Sequence, residues 1–362
     1  MRHADGDDEA RVTDVSSSAA ARGSLAMEAI SLDKDFRLSR KLTLHAVREV
    51  SFNLYKGAVV ALVGESGSGK STVAKLLAGQ QQPTSGSIRL DGQPVDLSTR
   101  SAFRRYKSKV QLVFQDPFAS LNPAHTVRYH LERPVRLHSD NGSREEVRAR
   151  IAALMEQVRL TPVEQFLAKY PHELSGGQRQ RVSFARALAA RPSVLLADEP
   201  VSMLDVSIRL EMLSLLDDLR RHFQLAVLYI THDIASARYL ADEVLVMYGG
   251  RILERGPAEE LTQHPAHPYT QLLVASAPDP DNLGSALRHA AIANRRPAES
   301  AGSATNGCPF SPRCPLAEDR CREDDPPQVQ ISSVRVAACW RLEVAAPELV
   351  AIDKGVGDMN ET

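Results

Sequence analysis

No stretch of this 362-residue chain approaches the ~18–20 consecutive apolar residues that a membrane-spanning helix needs. Work at a membrane would therefore go through a partner. An apolar block is also missing from the opening 26 residues. These carry Asp5, Asp7, Asp8, Glu9 and Asp14, then a Ser and Ala run, which reads as a disordered tail rather than a secretory leader, and the chain as cytoplasmic. Net charge is nearly absent, because 44 Lys and Arg face 45 Asp and Glu. That balance disfavours a protein that coats nucleic acid. Nothing repeats at a fixed period, which excludes repeat arrays. Cysteine is scarce: there are four, all between 308 and 339.

What is present is ordinary globular composition, 43% hydrophobic and 25% charged, with short apolar runs punctuated by glycine and proline from about residue 50 to 256. Val59–Val63, Val194–Ala197, Leu225–Ile230 and Val244–Met247 are rich in Val, Leu and Ile, as strands buried on both faces of a mostly parallel sheet should be. Arg144–Leu160 spaces Val147, Ile151, Leu154 and Val158 three or four apart and predicts an amphipathic helix. It lies in an insertion of about 60 residues between two strands, after the turn Asn141-Gly142. Ser85–Gly92, closing on Asp91-Gly92, predicts a small antiparallel hairpin. The class is α/β.

Gly64-Glu65-Ser66-Gly67-Ser68-Gly69-Lys70-Ser71 follows an apolar strand and precedes a helix that opens with Thr72. Strand, loop and helix together predict a P-loop. Its glycines turn backbone N–H groups toward phosphate, the helix N-terminus adds partial positive charge, Lys70 reaches the β- and γ-phosphates, and Ser71 offers a hydroxyl to Mg²⁺. Asp198 and Glu199 end the apolar run Val194–Ala197, at the sheet edge where nucleotides bind in open α/β folds. Alone, such a pair is a solvated strand end or helix cap. Beside a P-loop, Asp198 is expected to hold Mg²⁺, and Glu199 to position and deprotonate the attacking water.

Leu174-Ser175-Gly176-Gly177-Gln178 opens a helix 20 residues before Asp198, and here the sequence resembles the nucleotide-binding subunits of ABC transporters over roughly residues 27–262. The resemblance makes Ser175, Gly176, Gly177 and Gln178 the signature, a second phosphate cradle serving the P-loop of another subunit. It makes Gln115 the loop glutamine that senses Mg²⁺ and water, Ser202–Asp205 the segment facing the partner, and His232 the γ-phosphate contact. It also makes Phe36 the candidate for stacking on adenine, with a hydrophobic sheet anchor as the alternative. The fold it implies is a P-loop ABC ATPase core with an antiparallel β subdomain and a helical subdomain at about 116–175. A lone chain should bind ATP but hydrolyse it poorly, and a closed pair should turn over. Such ATPases sit on the cytoplasmic face of the cell membrane with two permease subunits, a second ATPase (a sister or itself), and, through the complex, an extracytoplasmic substrate-binding protein.

Phe114–Pro123 and His267-Pro268-Tyr269-Thr270-Gln271-Leu272-Leu273 are similar to the oligopeptide and dipeptide importer branch, as are Gly307–Phe310, Arg313-Cys314-Pro315, Cys321 and Ala338-Cys339. Residues 263–345 would then be that branch's cysteine-bearing extension and 346–362 a flexible tail. The branch implies di- or oligopeptide cargo, with oligosaccharide or nickel as alternatives. A soluble ABC ATPase acting on DNA or ribosomes is the rival class, but the insertion is too short for a long coiled coil and only one cassette is present. Cytosolic thiols rarely form structural disulfides, so metal is the favoured reading of Cys308, Cys314, Cys321 and Cys339. A [4Fe–4S] cluster, as some relatives carry, stands against four-thiolate zinc, which lacks its usual Cys-x₂-Cys pairs here, and against unmetallated or redox-labile thiols. His264 and His267, each beside a proline, are expected in a solvated loop.

Overall fold

The computed structural model describes residues 23–40, 42–116, 120–138, 143–276 and 306–349. The Asn141-Gly142 turn, most of the 1–26 segment, Pro117–Ala119 and the stretch from 350 onward lie outside the described residues. Twelve strands are described: β1 (Leu25–Arg37), β2 (Thr43–Tyr55), β3 (Val59–Val63), β4 (Ser85–Leu90), β5 (Gln93–Pro94), β6 (Val110–Val113), β7 (Val194–Asp198), β8 (Ala226–Thr231), β9 (Glu243–Tyr248), β10 (Arg251–Pro257), β11 (Gln328–Ser332) and β12 (Arg335–Ala338). They form an antiparallel sheet of order β2-β1-β4-β5 and a larger one of order β11-β12-β10-β9-β3-β8-β7-β6. β6, β7, β8, β3 and β9 run parallel.

Alternation along the parallel strands explains the layering. Val60, Leu62, Leu196, Leu228 and Ile230 face one core with Phe52, Leu54, Val73 and Leu76, which joins the small sheet and the helix Lys70–Leu77. Ala61, Val63, Leu195, Ala197 and Tyr229 face the other, with Val147, Ile151, Leu154 and Val158 of the helical insertion. The predicted amphipathic helix is Arg144–Gln157, started by a capping box between Ser143 and Glu146.

Three boundaries differ from expectation. β1 begins at Leu25, which pairs with Tyr55, and Ala26 is fully buried, so the sheet takes in two residues of the expected tail. The Ser85–Gly92 hairpin closes later: Asp91 and Gly92, both at positive φ, are the turn between β4 and β5, while β4 also pairs with β1. At the far end, β12 pairs antiparallel with β10, so the cysteine-bearing extension continues the large sheet. Ala346, placed in the expected tail, is buried in that extension's small core.

Candidate functional site

β3 is five buried residues, and the chain leaves it at Gly64. A Cβ on Gly64 would sit 2.1 Å from the Met247 carbonyl of β9, so only glycine lets the loop turn there. Gly69, at φ +106° before the helix Lys70–Leu77, would place a Cβ 2.2 Å from the Ala46 carbonyl of β2. The loop is thus wedged between two strands while Ser66 and Gly67 stay exposed and Thr72 continues the helix. Lys70 is 4% exposed and donates to the Gly64 carbonyl at 2.6 Å and the Glu65 carbonyl at 2.8 Å, with Ser68 Oγ at 3.5 Å. Burial lowers its pKa, opposed by the carboxylates of Glu199, Asp198 and Glu65. An ammonium held this way can reach a phosphate by trading neutral carbonyls for an anion.

Ser71 Oγ donates to Asp198 Oδ1 at 3.2 Å, so a hydroxyl and a carboxylate converge across 127 positions of chain. These are hard oxygen donors of the kind Mg²⁺ takes. Burial raises the Asp198 pKa, the Ser71 hydrogen bond opposes it, and the Glu199 carboxylate raises it further. A bound cation would relieve that penalty.

Glu199 has φ 46°, a left-handed conformation unusual for a residue with a side chain. Its N–H donates to the Ile230 carbonyl at 2.9 Å and its own carbonyl accepts from Ser202 N–H and Oγ, so the flanking chain holds the bend. The bend brings one carboxylate oxygen to two partners: Gln115 Nε2 at 3.1 Å and His232 Nδ1 at 3.3 Å. Gln115, Glu199 and His232, from three different loops, meet at that one oxygen.

The signature is elsewhere. Ser175 caps the helix Gly176–Leu188: its Oγ accepts from Gln178 N–H at 3.2 Å and its N–H donates to Gln178 Oε1 at 3.1 Å. Its polar contacts close on themselves and leave a helix N-terminus to present. Gly177 packs so close to the helix Val206–Phe223 that a Cβ would lie 2.8 Å from Ile208 Cγ2, and Asp205 stands at the start of that helix without a side-chain bond to it. Arg209 spans from the Leu204 carbonyl to Asp233, tying the segment after the acidic pair to the loop of His232. No local signal marks Arg209 in the sequence. Phe36, half-buried, pairs with Leu44, two residues from the Ala46 carbonyl that backs Gly69, with Lys34 Nζ 5.4 Å from its ring.

Two residues that sequence reasoning gave no part in this site touch the P-loop. Tyr269 Oη accepts from Glu65 N–H at 2.9 Å, and Arg313 Nη1 donates to Glu65 Oε2 at 2.7 Å. Both stand inside branch motifs quoted above, which was the only available signal.

Cys308, Cys314, Cys321 and Cys339 are free thiols and line one small cavity with His267, Trp340 and Arg341. Burial pushes the Cys308 thiol up to about 12 and Cys339 up to about 11. Among the described residues, no three or more His, Cys, Asp or Glu side chains are gathered to hold a metal ion. That arrangement supports neither four-thiolate zinc, whose bonds of ~2.3 Å draw the sulfurs together, nor a [4Fe–4S] cluster on the same four thiolates. His267 corrects an expectation: it is 1% exposed, and burial drives its pKa down to about 3. Its Nδ1 accepts the Tyr269 N–H at 3.0 Å, so it is a neutral packing residue, while His264 is exposed.

A parallel sheet, a P-loop, an acidic strand end and a capped signature helix define an ATP-binding cassette. Comparison agrees. The ABC transporter family matches residues 47–202, and the family described as oligopeptide/dipeptide transporter, C-terminal region, matches 253–321. The Di/tripeptide transport ATP-binding protein DppF of Pseudomonas aeruginosa is 41% identical over 86% of this chain and 96% of its own. Oligopeptide transport ATP-binding protein AppF of Bacillus subtilis is 40% identical over 81% and 88%. Among solved structures, the MJ0796 cassette, a dimer in a post-hydrolysis state with ADP and Pi, superposes at TM-score 0.58 with 29% identity over 64% of this chain and 98% of that one. The chain belongs to the ABC transporter family of ATP-binding proteins, in the oligopeptide/dipeptide branch, and is an ATPase.

Proposed function

We propose that this chain energises an importer of di- or oligopeptides by binding and hydrolysing ATP at the cytoplasmic face of the membrane. The observation that carries the cargo is the likeness to peptide-transport ATP-binding proteins over almost the whole chain, extension included. No helix among the described residues is long and apolar enough to cross a membrane, so two permease subunits form the path, and an extracytoplasmic binding protein delivers the peptide. A groove lined by Phe114, Tyr129, His130, Leu137 and Arg186, between the insertion and the β6 edge, suits a permease element. Phe114, Tyr129 and Leu137 are all exposed there.

In this reading Phe36 stacks on adenine, and the loop from Gly64 to Thr72 cradles the phosphates with Lys70 and with backbone N–H groups other than that of Glu65, which Tyr269 holds. Ser71, Asp198 and Gln115 hold Mg²⁺, which neutralises phosphate charge when bound. Glu199 orients and deprotonates the attacking water, and His232 and Gln115 fix its carboxylate. The signature helix, Ser175 to Gln178, whose cap Ser175 is exposed, offers its N-terminus to the γ-phosphate of the partner subunit, with Asp205 at the interface. ATP drives closure because it binds the closed pair better than the open one.

The test is uptake of a labelled tripeptide and a labelled oligosaccharide in cells lacking this chain, restored with the parent or Lys70→Ala. Tripeptide uptake returning only with the parent is expected. Restored sugar uptake instead would replace the cargo, and no transport difference would overturn the reading.

A further inference from the structure

The extension does not merely add strands to the sheet; it grips the second residue of the P-loop. Glu65 is held at three points. Its carbonyl accepts from Lys70 at 2.8 Å, its N–H donates to Tyr269 Oη at 2.9 Å, and its carboxylate accepts from Arg313 at 2.7 Å. The two partners from outside the loop are themselves locked. Tyr269 is fully buried, and its ring, with those of Tyr248 and Phe310, forms one block with centroids 4.7 to 5.4 Å apart. The Arg313 guanidinium lies against Tyr248 and Phe310, 3.4 Å from the Tyr248 hydroxyl, and the residue is only 6% exposed. Tyr248 follows Met247, whose carbonyl backs Gly64. One rigid assembly therefore sets both the strand behind the loop and the residue in front of it.

Charge gives the contact its consequence. Lys70, the group that would meet a triphosphate, bonds the Glu65 carbonyl at 2.8 Å, and the charge of the Glu65 carboxylate acts on it. An unpaired carboxylate there repels the ligand, and a guanidinium at 2.7 Å cancels it.

We propose that Arg313 and Tyr269 are positioning residues of the nucleotide site, through which the extension sets the affinity of its own chain's P-loop for nucleoside triphosphate. This rests on Gly64–Ser71 being the ATP site. Arg313 neutralises Glu65 and Tyr269 fixes its peptide; neither takes part in the chemistry.

Binding of the non-hydrolysable ATP analogue AMP-PNP with Mg²⁺ to the full-length chain tests it, with ATP kinetics in the assembled transporter. Arg313→Met should raise Kd roughly tenfold and raise KM with kcat unchanged. Arg313→Lys, which keeps the charge, should stay within about threefold of the parent. Adding Glu65→Gln to Arg313→Met should restore Kd to within about twofold, because no carboxylate remains to neutralise. Tyr269→Phe should weaken binding by about threefold. Unchanged affinity in Arg313→Met would overturn the proposal, as would a double variant as weak as the single one, since that marks a purely structural role. Retained binding in Lys70→Ala would instead strike at the underlying site.

Discussion

Arg335 of β12 closes on Glu254 of β10 at 3.0 Å, and the two side chains are 3% and 0% exposed. Glu254 also accepts the N–H groups of Ala266 and His267, and Arg335 donates to the His264 carbonyl at 2.7 Å. One buried pair thus fastens the extension, the turn before Tyr269 and the nucleotide-binding sheet. Removing Arg335 leaves Glu254 buried without its counter-ion. Arg335→Ala should cost ~3–5 kcal/mol in urea unfolding followed by far-UV circular dichroism. A loss under about 1 kcal/mol would show the pair to be dispensable.

Gly64→Ala should abolish nucleotide binding even though the change is one methyl group. The added carbon would lie 2.1 Å from the Met247 carbonyl of β9, a strand paired on both sides within the large sheet, where neither side can give way. Equilibrium dialysis with labelled ATP checks it, and affinity within about threefold of the parent would refute it.

Much of this site could be read from the sequence because its parts are marked locally. Gly64–Ser71 and Ser175–Gln178 each open a helix and Asp198-Glu199 ends an apolar run, so spacing marks them even though Asp198 and Glu199 meet Ser71, Gln115 and His232 at 127, 84 and 33 positions of separation. The strands around them are runs of branched residues whose burial follows from composition. What stayed hidden depends on contacts between distant segments. The pairing of β12 with β10, the burial of His267, and the reach of Arg313 to a residue 248 positions earlier leave no periodic trace. His267 beside Pro268 looks like a turn, and it is one, but the extension folds over it.

Asp198→Asn should stabilise the nucleotide-free protein while removing Mg²⁺-dependent binding. Burial raises the Asp198 pKa, so the ionised carboxylate disfavours the fold above the unfolded pKa, and that penalty vanishes as pH falls and the group protonates. Thermal melts at pH 7 should place the variant roughly 1–3 °C above the parent, with the gap closing toward pH 4. A gap that widens on acidification would reverse the sign and refute the account.

Ser175→Ala separates the two halves of the site. The cap on the helix Gly176–Leu188 is lost, at about 1 kcal/mol of stability, but among the described residues the Ser175 hydroxyl bonds Gln178 of its own helix and no P-loop residue. ATP affinity of the isolated chain should therefore be unchanged, while turnover of the assembled pair falls by at least about tenfold. Weaker binding by the isolated chain would mean the signature serves its own P-loop.

The central claim is that Glu199, held by Gln115 and His232 on one oxygen, is the base that activates water for ATP hydrolysis. The direct measurement is the steady-state ATPase rate of the assembled transporter with Glu199→Gln, alongside its affinity for ATP. The account predicts a fall of about 10²–10⁴ in kcat with binding retained. A variant that hydrolyses ATP at the parent rate would contradict it.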